Sequence, residues 1–289
     1  MSDAGSDKEK ALAVDETKLQ AFGHQVAGHG GLLHTEDNRM LIKPLDRREH
    51  EFYEQAAHHP EMKMFFAEYY GVLELAGGSS EQTADGEAAR EASKYICLEN
   101  LVCGFEKTCI IDIKIGTRLY GDDATPEKQR RMEQKARERT SAAVGSAVCG
   151  LSVYGQPKYD RQMFSKMTVQ GYKDDALVPF FAAAKDLVSE EYRRFIIDQM
   201  IAEIQDYRAV VSAAETRMYG SSLLLVYDAS AAKYAKFVED TQATDGAALF
   251  DVKAIDFAHS TWTPGQGPDE QYLFGLDSLV RLLREVRDE

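Results

Sequence analysis

Asp112 and Lys114 stand two residues apart in the run Cys109-Ile110-Ile111-Asp112-Ile113-Lys114-Ile115-Gly116-Thr117-Arg118. Alternation along a strand puts both on one face, with Ile111, Ile113 and Ile115 on the other. An acid and a base on one face, followed at once by Gly116, can meet a polyanionic reactant. The carboxylate orients or deprotonates a hydroxyl, and the ammonium neutralises charge on a transferring phosphoryl group. The same two residues also read as an ion pair on a solvated sheet face. A second group lies between Glu127 and Arg139, where Lys128, Arg131, Lys135 and Arg139 fall within roughly an 80° arc of a helix. This basic stripe reads as an anion clamp or as a solvated face laced with ion pairs.

These groups need elements to hold them. Met40-Leu-Ile-Lys43-Pro reads as a strand ending at proline, with Lys43 opposite in direction to Ile42. Arg48 to Gln55 reads as a helix with Phe52 inward and Glu49 placed to pair with Lys43. Tyr95 to Leu98 is a strand, and Glu99-Asn100-Leu101 follows it. Thr125 and Pro126 are an N-cap and first-turn pair for the basic helix, expected over 126–140. Residues 141–155 are small and apolar, a strand or packed turn. Residues 176–187 and 190–214 read as helices, the second with an apolar stripe of Tyr192, Ile196, Met200, Ile204, Tyr207 and Val211. Ser222 to Tyr227 is a buried strand, Val252 to Phe257 the last strand, and Phe274 to Val286 an amphipathic helix. Gly28, Gly30 and Gly31 crowd one turn, either a phosphate cover or an ordinary hairpin, without P-loop spacing. His24 and His29 lack metal-like spacing. The polar stretch 76–94 is a surface loop, and residues 240–246 are another.

Asp112-Ile-Lys114-Ile-Gly116 resembles the D-x-K-x-G signature of the inositol polyphosphate kinase family. His24-Gln-Val-Ala-Gly-His29, Ser221-Ser-Leu-Leu224 and Ile255-Asp256-Phe-Ala-His259-Ser-Thr261 agree with it. Within that family the inositol hexakisphosphate kinases are most similar, through Gly116-Thr-Arg118 with Gly121-Asp-Asp-Ala124, Lys43-Pro-Leu45, Val148-Cys-Gly150 and Gly267-Pro-Asp269 leading into Phe274-Gly-Leu276. The resemblance implies an α+β, two-lobed, reduced protein-kinase-like fold. Residues 1–20 would form a disordered tail, 21–98 an amino-terminal ATP-binding lobe and 99–289 a carboxy-terminal lobe. It also implies ATP and Mg2+ as cofactors. Lys43 would reach the nucleotide phosphates, and Glu99, Asn100 and Leu101 would be the hinge at adenine. Asp112 and Lys114 would be catalytic, with Asp112 also holding the nucleotide side. Asp256, in a turn resembling the D-F-G of protein kinases, would ligate magnesium. Lys114, Lys128, Arg131, Lys135 and His259 would meet the phosphates of inositol hexakisphosphate or another inositol polyphosphate. By the same resemblance the product is a diphosphoinositol phosphate, formed at position 5. A multikinase acting on less phosphorylated inositols and a non-catalytic inositol phosphate scaffold are the rivals. Ala147 and Ser152 stand where animal hexakisphosphate kinases carry Arg and Gln, and a Gly-Arg-containing stretch is missing between Lys166 and Gly171. Lys166 and Lys173 are placed to compensate. The long insertion those enzymes carry near residues 76–94 is short here.

Composition sets the remaining bounds. The 289 residues are enough for a two-lobed domain, and 44% hydrophobic content supports a sizeable core. Against 48 Asp and Glu there are 34 Lys and Arg, a formal charge of −14, which is wrong for a nucleic-acid or anionic-membrane binder. A polyanionic ligand must therefore be received by a local basic patch. Cys97, Cys103, Cys109 and Cys149 lack paired spacing and read as reduced core thiols of a cytoplasmic or nuclear protein. No run approaches the ~18 apolar residues of a spanning helix.

Overall fold

The computed structural model describes residues 14, 16–27, 31–75, 94–138, 140–155, 177–182, 187–240 and 249–289. Most of the tail and of the 76–94 loop, together with Gly28, His29, Gly30, Arg139, Lys166, Lys173 and residues 241–248, lie outside them. The chain divides into two compact units. One comprises residues 1–23, 30–46 and 68–100, and the other 24–29, 47–67 and 101–289. No helix among the described residues is long and apolar enough to cross a membrane.

The elements, in chain order, begin with a 3-10 turn Glu16–Lys18, β1 Gln20–Ala21, β2 Leu33–His34, β3 Met40–Pro44, α1 Arg47–Ala56, α2 Pro60–Lys63, β4 Tyr69–Glu74 and β5 Lys94–Glu99. They continue with β6 Thr108–Ile115, α3 Pro126–Glu138, α4 Ser141–Val144, β7 Ser146–Ser152, α5 Leu177–Ala182 and α6 Glu190–Ala213. Then come β8 Thr216–Met218, β9 Ser222–Asp228, α7 Ala231–Glu239, β10 Phe250–Ile255, β11 Ser260–Trp262 and α8 Glu270–Asp288. The resulting mixture of helix and antiparallel sheet is α+β, as expected.

In the smaller unit β1-β2-β3-β5-β4 form one antiparallel sheet. Ile42, Leu73 and Cys97 are its buried centre, with Leu19, Leu33 and Tyr95 packed around them. Ile42 points into that cluster, so Lys43 emerges on the opposite face, opposite Ile96 in the ladder. The polar start expected to run to residue 20 already carries the 3-10 turn, and Gln20 pairs with His34. Asn100 is buried, and its side-chain amide donates to both Asn38 O and Asn38 Oδ1 at 2.8 Å.

The larger unit is built on the antiparallel sheet β10-β9-β6-β7. Strand β6 is interior, paired to β9 on one side and β7 on the other. The solvated-face reading of β6 fails for that reason: every residue of the strand except Lys114 is buried. Residues 47–67 fall within the stretch assigned by sequence to the amino-terminal lobe, yet they belong to this unit. Aromatic packing explains it. Phe52 stacks on Phe257 at 4.4 Å and on Trp262 at 5.1 Å, and Tyr53 meets Phe257 edge-on at 5.2 Å. Burying a ring of this size stabilises by about 1.5–3 kcal/mol, more than the helix propensity of so short a segment supplies.

Helix α6 buries the whole expected stripe from Tyr192 to Val211. Ser189 caps it by accepting from Tyr192 N at 3.2 Å. Arg193 ties it to the end of α8, donating to Val286 O at 2.8 Å. The last strand is β11 rather than 252–257, because the chain turns after Ile255 and pairs again with β8. Three of the cysteines are buried as expected, and Cys103 is exposed, since it lies in the turn after Leu101 rather than in a strand. Glu203 of α6 is half-buried near Asp251, and burial followed by that carboxylate raises its pKa to about 7. The fold thus holds Glu203 protonated where the unfolded chain would ionise it. Stability is therefore lost as pH rises from about 4.5 to about 7. Glu203→Gln should remove that loss, gaining about 2 kcal/mol above pH 7 after discounting for partial exposure, read as a flatter profile of denaturation midpoint against pH.

One glycine admits a crossing segment. A Cβ on Gly150 would stand 1.9 Å from Val26 O, so only glycine lets the 24–27 segment lie over β7. Gly150→Ala should cost roughly 3 kcal/mol, since backbone and not a side chain must move. A denaturation midpoint equal to the parent's would rule out that crossing.

Candidate active site

The ladder sets the site. Lys114 of β6 is opposite Ser222 of β9, and Ser222 is opposite Ile255 of β10, so Asp256 follows immediately beyond one row of three strands. Lys114 Nζ donates to Asp256 Oδ2 at 3.0 Å, the two side chains being 23% and 36% exposed. Burial works against the ammonium, but Asp256, then Asp112, outweighs it and holds the Lys114 pKa above the ordinary lysine value. Lys114 is therefore a fixed positive charge. Asp112, 5% exposed, is the deeper carboxylate on the same strand face.

Asp256 takes a left-handed backbone, φ 66°, a conformation that aspartate tolerates better than most residues. What holds it there is on either side. Phe257 N donates to Glu49 Oε1 at 3.3 Å, and the Phe257 ring is clasped by Phe52, Tyr53 and Phe66. Glu49, 1% exposed, thus supports the Asp256 turn from α1. Tyr53 beside it is held well above the ordinary tyrosine pKa by burial, then by the Glu49 and Asp256 charges.

Three residues past Asp256, His259 Nε2 lies 3.3 Å from Lys128 Nζ, in the first turn of α3. Thr125 caps that helix, its Oγ1 accepting from Lys128 N at 3.3 Å. Arg131 is exposed and Lys135 half-buried, one and two turns farther along the same face. The structure thus brings together Asp112, Lys114, Asp256, His259 and Lys128 within the larger unit, with Arg131 and Lys135 continuing the stripe. Lys43, Glu99 and Asn100 belong to the smaller unit, and Leu101 begins the next segment of the larger. Sequence reasoning named Arg48 and Arg118 but gave them no role in the site. Arg118 lies over Tyr219 at 4.0 Å and binds Asp122 at 2.5 Å. Alternation of Arg with an Asp-Asp pair a few positions on was the available signal for it.

Residues 95–284 match the family model described as inositol polyphosphate kinase. The chain belongs to the inositol polyphosphate kinase family. Among relatives, inositol hexakisphosphate kinase 2 of Rattus norvegicus is 34% identical over 234 residues, covering 69% of this chain and 53% of that protein. Inositol hexakisphosphate kinase 3 of Homo sapiens is 32% identical, covering 68% and 52%. The chain spans about half the length of these curated relatives. A crystal structure of an inositol phosphate multikinase from S. cerevisiae, in complex with ADP and Mn2+, superposes with a TM-score of 0.72 at 24% identity, over 86% of this chain and 98% of that one. That likeness shows the fold, the kinase-like α+β arrangement of this family. The family signature then coincides with the row of β6, β9 and β10 beside which Lys114 meets Asp256.

Proposed function

We propose that the chain is an ATP-dependent inositol phosphate kinase whose acceptor is a phosphate of inositol hexakisphosphate, with position 5 as the position modified. The contact between Lys114 and Asp256, reached from two strands 142 residues apart, is the observation that carries the reading. Family membership and the hexakisphosphate kinase relatives support it. A scaffold that only binds would have no need for a left-handed, doubly supported carboxylate beside a lysine.

Asp256 and Asp112 fit a hard cation. Two carboxylates flank one ammonium, and magnesium in such enzymes takes one or two protein carboxylates with nucleotide phosphates and water completing its shell. No three-residue ligand cage exists among the described residues, and this mode of binding needs none. Magnesium, held by Asp256, would neutralise charge on the ATP phosphates. Lys114 would stabilise the charge that develops on the transferring phosphoryl group. A phosphate acceptor needs little help in losing a proton, so the buried Asp112 serves to fix Lys114 and the nucleotide side. Lys43 and the backbone of Glu99 and Leu101 would hold ATP. The Asn100 side chain donates to Asn38 O and Oδ1, and Glu99 N donates to Glu68 O at 2.8 Å, so neither is the adenine contact in this reading.

Lys128, Arg131, Lys135 and His259 would hold the inositol phosphates. Arg131→Glu should raise the KM for inositol hexakisphosphate roughly tenfold or more while the KM for ATP stays put. The effect should be larger than for a trisphosphate and should shrink with added salt. If both inositol phosphates bind as before, the stripe is a solvated helix face. One observation favours the multikinase reading as the second choice. Ala147 is the residue opposite Lys114 on β7, so the position where animal hexakisphosphate kinases carry Arg adds no charge beside the transferring group. Incubation with ATP, magnesium and inositol phosphates of different phosphate number, followed by separation of products, decides between them.

A further inference from the structure

We infer that Arg48 is a specificity-determining residue, which acts by cancelling the charge of Asp123 beside the inositol phosphate site; this rests on the reading of Lys128 and His259 as phosphate ligands. A phosphate site should not tolerate an uncompensated acid at its edge. Yet Asp122 and Asp123 stand directly before the basic helix.

Asp123 is close to the phosphate ligands. A Cβ on Gly121 would be 2.9 Å from Asp123 Oδ1, 3.5 Å from His259 Nδ1 and 3.7 Å from Arg48 Nη1. The three groups therefore surround one point. His259 has this acid-arginine pair near its Nδ1 side and Lys128 on its Nε2 side. Arg48 comes from α1 and takes Asp123 in a two-pronged grip, Nη1 to Oδ1 at 2.8 Å and Nη2 to Oδ2 at 2.6 Å. The fork matches a carboxylate in plane and separation, which a lysine does not. The grip, with a smaller contribution from His259, holds the Asp123 carboxyl at about 2, so the acid is fully charged at any working pH. Asp122 next to it is matched by Arg118 through a single contact, Nη2 to Oδ1.

Both residues of the Arg48–Asp123 pair are about half exposed, so the pair contributes little to stability. Its effect falls instead on an incoming anion. With Arg48 present, a phosphate at His259 and Lys128 meets a neutral pair. Without it, the phosphate meets a bare carboxylate a few ångströms away, and the repulsion grows with the number of phosphates on the ligand.

The test uses the full chain with ATP, magnesium and inositol hexakisphosphate, comparing Arg48→Met, Asp123→Asn and both together. Arg48→Met should raise the KM for inositol hexakisphosphate roughly tenfold, with kcat and the KM for ATP unchanged. Asp123→Asn should lower that KM several-fold, because it leaves Arg48 uncompensated. The double variant should return to within about twofold of the parent, since it removes acid and base together. A purely structural latch predicts the opposite for Asp123→Asn, a raised KM, and no recovery in the double variant; either result overturns the inference. The Asp123→Asn arm decides even if Arg48→Met does not fold. Lys128→Met is the control. If it leaves the KM for inositol hexakisphosphate unchanged, the placement of the substrate phosphates fails, whatever Arg48 does; if it raises KM while Arg48→Met does not, the inference alone fails.

Discussion

Asp256→Asn should fold as the parent chain does and lose at least ~10³-fold in phosphoryl transfer. Asparagine is the informative replacement. It shares with aspartate a tolerance for the left-handed backbone that Asp256 adopts, so the turn between β10 and β11 is kept. It can still accept a hydrogen bond from Lys114, and Phe257 still caps the packing of Phe52 and Tyr53. What disappears is one negative charge at the place where magnesium would sit. Alanine would confuse the test by adding backbone strain at φ 66°. Unchanged circular dichroism and melting temperature with turnover near the parent's would remove Asp256 from the metal site.

Lys114→Met should lower kcat by roughly 10²–10³, equivalent to about 2.7–4 kcal/mol of transition-state stabilisation, with much less effect on ATP affinity. Methionine keeps the length of the side chain in the half-buried slot between Ser222 and Ala147, so packing is preserved. The loss falls on kcat because the ammonium is already committed to Asp256 and Asp112 in the resting protein. Its added value arises when charge accumulates on the transferring group. A variant with normal kcat and weakened ATP binding would make Lys114 a nucleotide ligand instead.

Much of this was legible in the chain. The Asp112–Lys114 spacing, the Thr125–Pro126 helix entry and the apolar stripe from Tyr192 to Val211 are local patterns, and local physics determines them. Burial of the Asp112 face was not readable, because it depends on β7 and β9 flanking β6, and strand order is a property of the whole sheet. The assignment of α1 and α2 to the larger unit was hidden for a similar reason. Phe52 reads as an inward residue, but nothing near it says that Phe257 and Trp262, some 200 positions on, are what it packs against. The two short strands β8 and β11 carry too few residues to show a period. The Arg48–Asp123 grip spans 75 positions and leaves no periodic trace at all.

Strand β6 ends at Ile115, and the next residue, Gly116, donates its N–H to Gly145 O at 2.7 Å. A Cβ on Gly275 of α8 would stand 2.3 Å from that same oxygen and 2.8 Å from Gly116 N. Three stretches of main chain therefore meet there, one residue past Ile115 and two past Lys114, with the Ile115 and Phe274 side chains close beside them. An engineer seeking a new acceptor has no dial to turn at such a joint, since any added atom displaces backbone and carries Lys114 with it. Room for redesign lies where side chains alone make the contact, at Ala147 and along the exposed face of α3. The carboxy-terminal helix, for its part, lies with its backbone against the end of β6 and is no place for a truncation.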